Sequence, residues 1–240
     1  MATSARAVSD RRRQVFKHVL EKPYTTNWPA ASQAVQSEVV DLLCTALKPL
    51  ATYFGESRRM AKRRKTKSGK QESLSSDALV GKEILKHVVI GINSTTRALE
   101  RQARRSQPLA GEDLALVVVC KGDVEPQLVA HFPGLAHAAR VAKVDGEIQR
   151  AMKLRLMGVG AGSEKQLAVA VGQPRVSTIG IRTGMPALDA VVERAYAEVA
   201  APSVPWIGTG QRLMPPLHPM KVRELHTTAP VANKRSKKTK

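Results

Sequence analysis

Aromatic residues are nearly missing from this chain. Phe, Tyr and Trp make up 3% of its 240 residues, so any core has to be aliphatic, and apolar residues at 42% suffice to build one from Val, Leu, Ile and Ala. Cysteine is also scarce. Cys44 and Cys120 lie inside the apolar runs "DLLCTAL" and "LVVVC", which reads as buried free thiols in a reducing compartment and not as a disulfide or metal pair. No apolar run approaches the roughly 20 residues that span a bilayer. The first residues, "MATSARAVSDRRR", lack the apolar segment of a signal peptide. A mitochondrial presequence is the weaker reading, since residues 1 to 9 are small and acid-free but the arginines are bunched at Arg11 to Arg13. Acids are the last shortage: 20 Asp and Glu face 39 Lys and Arg, for a net charge of +19. Such an excess opposes compaction and points to a polyanionic partner, nucleic acid first and an anionic membrane surface second.

The basic charge is concentrated. Residues 58 to 70, "RRMAKRRKTKSGK", hold eight Lys or Arg and no acid, and residues 232 to 240 hold five more. Both stretches lack apolar periodicity and read as mobile arms. Arg58, Arg59, Lys62, Arg63, Arg64, Lys65 and Lys67 are the candidate RNA-capturing arm. A solvated loop or a nuclear-import signal is the competing reading.

Between the arms the pattern is that of a folded α/β domain. Val35 to Tyr53 carries Val39, Val40, Leu42, Leu43, Leu47 and Leu50 near helical spacing, which predicts one amphipathic helix. Residues 54 to 80 follow as a polar insertion. Strands are predicted at His87 to Ile92, Leu114 to Cys120, Leu154 to Val159 and Val176 to Ile181. Helices are predicted from Ser94 to about Arg104, from Pro126 onward, over "GSEKQLAVAVG" and over Pro186 to Val199. In "GSEKQLAVAVG", Ser163 and Gln166 have capping-box spacing and Gly172 suits the stop. Apolar strands alternating with helices predict a three-layer α/β/α sandwich around a mostly four-stranded mixed sheet. The domain is expected at residues 35 to 200. Residues 1 to 34 would form an N-terminal extension, residues 54 to 80 a disordered basic insertion, and residues 201 to 240 a Pro-rich, basic tail.

Catalytic patterns are weak. "GVGAGSEK" has Ser163 where a dinucleotide-binding fingerprint needs glycine, and it lacks the Gly-Lys-Ser/Thr of a phosphate loop. A turn with a helix cap is the better reading. His131 and His137 do not have metal-pair spacing. Asp123 and Glu125 suit a helix start.

The stretch "VVIGINSTTRALERQARR", Val88 to Arg105, asks for more than packing. At a strand-to-helix turn the first backbone N–H groups lack internal partners and attract a cap or a phosphate. Asn93 or Ser94 could serve as the cap. That leaves Thr96, Arg97, Arg101, Arg104 and Arg105 on the same short helix. Arg97, Arg101 and Arg104 share a face. Arginines neutralise phosphates, and Asn both donates to and accepts from base edges.

These residues resemble a known pattern. Gly91-Ile92-Asn93-Ser94-Thr95-Thr96-Arg97-Ala98-Leu99-Glu100-Arg101 is similar to the G-x-N-E-x-T-K-x-x-E-R signature of the kink-turn-binding ribosomal-protein superfamily. "LALVVVCKGDVEPQLVAHFPGL" and "SEKQLAVAVGQPRVSTIGI" resemble its later elements in the same order, over roughly residues 87 to 181. The flanks "RQVFKHVLEKPYTTNWP" and "PSVPWI" resemble the extensions of its fungal RNase P and RNase MRP branch.

The resemblance implies an α/β/α fold that recognises an RNA bend with sheared G·A pairs. By that analogy Gly91 permits close approach, Asn93 contacts a guanine edge, Thr96 supports the turn, and Arg97 meets phosphate or base. Pro174, Arg175 and Val176, in the loop from Gln173, pack against an extruded nucleotide, and Lys121 lies near the same surface. Ser94 replaces the usual glutamate and is shorter and uncharged, which implies a kink-turn-like element inside a larger particle.

The expected function is a non-catalytic subunit of RNase P and RNase MRP, bound to their RNA and neighbouring proteins in the nucleus and nucleolus. It would need no cofactor, metal, small-molecule ligand or membrane. A related small nucleolar or ribosomal protein, a protein-interaction scaffold and a nucleotide-binding enzyme remain the competitors.

Overall fold

The computed structural model describes residues 12–20, 26–65, 75–105, 112–144, 147–151, 153–204 and 222–230. In chain order the elements begin with β1 (Arg12–Leu20), α1 (Gln33–Leu47), α2 (Pro49–Lys65), α3 (Ser76–His87), β2 (Val88–Ile90) and α4 (Ile92–Arg104). Next come β3 (Leu114–Val119), α5 (Pro126–Val129), α6 (Phe132–Arg140), β4 (Val141–Val144), β5 (Glu147–Ala151) and β6 (Arg155–Gly158). The chain continues with α7 (Ser163–Val171), β7 (Thr178–Arg182), α8 (Pro186–Glu198) and β8 (Val222–Pro230).

The central sheet has the order β2-β7-β3-β6. β7 runs antiparallel to both of its neighbours, and β3 is parallel to β6. β3 is buried along its whole length because helices cover both faces of the sheet. Its side chains alternate. Leu116, Val118 and Cys120 join Val39, Leu43, Leu167, Leu188 and Val192 from α1, α7 and α8 on one face. Val117 and Val119 join Leu99, Phe132 and Ala136 from α4 and α6 on the other. The result is an α/β/α sandwich with an aliphatic core, as the composition requires. Arg194 on α8 reaches Glu38 of α1 at 2.8 Å and Glu198 at 3.0 Å, and its hydrogen bond holds the Glu38 carboxyl below its ordinary range.

Several boundaries differ from the sequence-based expectations. The helix predicted over Val35 to Tyr53 is two helices, because Pro49 lacks an N–H and its ring clashes with the preceding turn, so it opens α2 instead. Leu42 lies off the buried stripe and is 38% exposed. The stretch read as a polar insertion is largely helical. α2 runs through Lys65, and α3 starts at Ser76, capped by the Ser75 hydroxyl and buried through Ala78. His87 closes α3 and does not open a strand. The helix expected after Pro126 is broken into α5 and α6. Lys67 and the arm at 232 to 240 lie outside the described residues.

β1 and β8 form a separate two-stranded antiparallel ribbon, in register from Arg12 with Pro230 to Leu20 with Val222. Phe16 meets His226 edge-on, with ring centroids 4.8 Å apart.

Candidate nucleic-acid interface

The turn between β2 and α4 is built by one residue type. Gly91 has φ of +93°, which L side chains rarely adopt, and a Cβ there would meet nothing within 4 Å. Glycine is therefore required by the backbone and not by crowding. Its N–H donates to the Thr178 carbonyl at 2.8 Å, and its carbonyl accepts from Thr95 N–H at 3.0 Å. Gly91 is itself the N-cap, and among the described residues no side chain caps α4. This corrects the expectation that Asn93 or Ser94 caps the helix.

Asn93 and Ser94 are exposed instead, as are Arg97, Arg101 and Arg104. Among the described residues, no hydrogen bond engages the side chains of Asn93, Ser94 or Arg97. Thr95, Ala98, Leu99 and Gln102 hold the buried face of α4 to the sheet. Arg101 is exposed, and its Nε donates back to the Arg97 carbonyl at 3.3 Å. Arg105 is committed elsewhere, pairing with Glu112 at 2.8 Å and Asp113 at 3.5 Å. Thr96 faces α6: its Oγ1 lies 2.9 Å from His131 Nε2, a partner that local spacing does not reveal.

The loop before β7 is brought next to this turn by the Gly91 to Thr178 hydrogen bond. Pro174 and Arg175 are exposed. Val176 is not available to a ligand. It is fully buried in the α1/α7/α8 cluster, so the expected contact with an extruded nucleotide is removed by core packing. Glu164 Oε1 accepts from Arg175 Nε at 3.1 Å and from Ser177 Oγ at 3.1 Å, which anchors one side of the guanidinium while 78% of the Arg175 side chain stays exposed. Arg58 is not a free arm residue. Its guanidinium donates to the Gly172 carbonyl at 3.1 Å and to Gln173 Oε1 at 3.0 Å, linking α2 to this same loop. Arg59 is exposed on α2, and the helix continues through Lys62, Arg63, Arg64 and Lys65.

A second strand-to-helix turn lies between β6 and α7. Ser163 is the first helical residue and not the cap, so the expected capping box with Gln166 is absent. The Asp123 carboxylate caps the helix from another loop, accepting from Gly162 N–H at 2.7 Å and Glu164 N–H at 2.9 Å. Gly172 ends the helix in a left-handed conformation, as expected. Between the two turns, Cys120 N–H donates to the Ser177 carbonyl at 2.9 Å. Burial pushes the Cys120 thiol up to about 12, and the Asp123 and Glu164 carboxylates add to the rise. Lys121 is exposed, with its Nζ over the Trp28 ring, 5.4 Å from the centroid.

His137 is buried, 3.3 Å by Nδ1 from the Pro202 carbonyl. Among the described residues, no group of three or more His, Cys, Asp or Glu is placed to hold a metal ion, and no helix is long and apolar enough to cross a membrane. No protein-family model matches the sequence, and no curated protein matches it.

Proposed function

We propose that this chain is a non-catalytic RNA-binding subunit of the RNase P and RNase MRP ribonucleoproteins, serving tRNA 5′ maturation and pre-rRNA processing in the nucleus and nucleolus. By its flanking motifs it resembles the fungal subunit Pop-three, which is similar to human Rpp-thirty-eight. One observation carries the RNA reading. At the Gly91 turn a glycine-shaped bend presents Asn93, Ser94, Arg97 and Arg101 to solvent, with the helix end uncapped by any side chain among the described residues.

An uncapped helix N-terminus, a base-reading amide and a basic face suit a bent RNA segment. Arg175 supplies a further cation from the adjoining loop. The assignment to RNase P and RNase MRP rests on the motif resemblance. In such a particle the RNA carries the phosphodiester chemistry, and the protein contributes binding and positioning. Sequencing the RNA that co-purifies with the tagged chain tests it. RNase P and RNase MRP RNAs are expected; guide or ribosomal RNA would move the chain to a related particle.

A protein-interaction scaffold is the second reading, favoured by a groove of about 600 Å³ between α1 and α7. Cys44, Ala51 and Val169 line it, and Val169 is 72% exposed. Recovery of the chain in a nuclear particle without any direct crosslink to RNA would favour that reading.

A further inference from the structure

We propose a second nucleotide subsite, for an unstacked RNA base, formed by Trp28, Lys121, Gln36 and the backbone of Gly158 to Gly160. It rests on the RNA-binding reading above and extends it along the sheet. Because β7 opposes β2 and β3 while β3 and β6 run together, one edge of the sheet carries the ends of β2, β3 and β6 and the start of β7. The Gly91 turn leaves that edge at β2, the Arg175 loop enters it at β7, and Lys121 follows β3. The Gly158 to Gly160 segment lies at β6, three strand spacings or about 14 Å from the Gly91 turn.

At this far end the surface changes character. Trp28 is half-buried and packs at the rim of the α4/α6 cluster. Its indole lies against the Gly158 backbone, where a Cβ would come within 3.3 Å of Cε3. Beside it is a cleft of about 410 Å³ lined by Trp28, Pro29, Gln36, Lys121, Gly158 and Gly160, with no acidic side chain among its lining residues. Gln36 Nε2 donates to the Ala31 carbonyl at 3.0 Å, and its Oε1 lies 3.8 Å from where a Gly160 Cβ would stand. The cleft therefore combines an aromatic face, one amide acceptor, one cation and a glycine floor that lets a ligand approach the backbone.

That set matches a nucleotide. A nucleobase stacks on an indole more strongly than an exposed lysine does, so it would take the place of the Lys121 ammonium over the ring. The ammonium, on its flexible stem, would then pair with the nucleotide's phosphate. Stacking is tolerant of base identity, so the subsite would fix the path of a single strand and not its sequence.

The test uses the full chain with Trp206→Phe, which leaves Trp28 as its sole tryptophan. A short oligouridylate should quench Trp28 emission saturably, and an abasic strand of equal length should not. Gly160→Val intrudes on the cleft where, among the described residues, only Gln36 Oε1 stands within 4 Å, and should weaken oligouridylate binding about tenfold. Lys121→Ala should lower the salt slope by about one. Absence of quenching, equal quenching by the abasic strand, or unchanged affinity in Gly160→Val would overturn the subsite. Binding to a bent duplex should survive Gly160→Val and fail in Asn93→Ala/Arg97→Ala, while the double variant should keep the Trp28 quenching, so the two sites fail separately.

Discussion

Two strand-to-helix turns on one sheet edge are built from the same backbone device and finished differently. Gly91 before α4 and Gly162 before α7 both have positive φ, at +93° and +89°, and both leave open space where a Cβ would be. At Gly162 the chain satisfies the helix end itself, through the Asp123 carboxylate on two N–H groups. At Gly91 no side chain among the described residues does so, and Asn93 and Ser94 are exposed. A helix end closed by an internal carboxylate is finished structure. One left uncapped among the described residues, with no acid in its first turn and arginines along its exposed face, is the end that suits an anion from outside. The glycine-rich sequence "GVGAG" marks the closed turn, so glycine content alone does not single out the uncapped one.

The sharpest way to break this comparison is at the open turn. Asn93→Ala with Arg97→Ala should weaken binding to the cognate bent RNA about a hundredfold and leave random duplex far less affected. The melting temperature should hardly move, because both side chains are exposed and unengaged within the described chain. Equal losses on both RNAs, measured side by side at one salt concentration, would reduce the turn to a general phosphate contact. At the closed turn the ranking should reverse. Asp123→Ala removes a carboxylate from two backbone donors and should cost about 1–2 kcal/mol of stability. That corresponds to a melting shift of about 3 °C per kcal/mol in a chain of this size. A thermal scan showing no shift would mean that water replaces the cap at no cost.

Why one turn was legible and the other was not follows from contact distance along the chain. The Gly91 turn is local: the residues that bend it, present its polar side chains and bury its inner face all lie within Gly91 to Gln102. The Asp123 cap bridges 39 positions to Gly162, and no local spacing announces it. The sandwich was legible because buried strands such as "LALVVVC" are continuously apolar and the helices between them are periodic. Two features were not. The basic run has no apolar stripe, yet it is helical to Lys65: Lys, Arg, Met and Ala favour helix, and Leu50 and Phe54 anchor the first turns of α2 in the core. Val176 stands in a loop beside exposed Pro174 and Arg175, but its side chain turns inward. That inward turn is set by the packing of α1, α7 and α8, which a one-dimensional pattern does not carry.

A smaller change sharpens the open turn. Ser94 stands where the resembled signature has glutamate. Ser94→Glu adds an acid to the first turn of α4, favourable to the helix by about 0.3–1 kcal/mol. It also supplies an acceptor for a guanine amino group. Affinity for a kink-turn with sheared G·A pairs should rise several-fold, by about 1 kcal/mol, relative to a bent RNA lacking those pairs. Uniformly weaker binding of both RNAs, read in a competition titration, would show that the added charge acts only by repelling phosphate.

The smallest effect is expected where the two turns meet. Glu164 lies in the first turn of α7, and its carboxylate anchors Arg175 in the neighbouring loop. The pair is exposed on the arginine side, so its contribution to stability should fall within about 0–1 kcal/mol. Its larger consequence is expected for binding, because the carboxylate offsets one cation on the proposed RNA surface. Glu164→Gln keeps acceptors for Arg175 and Ser177 and removes the negative charge. RNA affinity should rise about two- to threefold at low salt, and the gain should fade as screening shortens the reach of that charge. A gain that persists unchanged at high salt would instead mean that Glu164 holds Arg175 in a geometry that opposes binding, and Arg175→Lys in the Glu164→Gln background would then lose it.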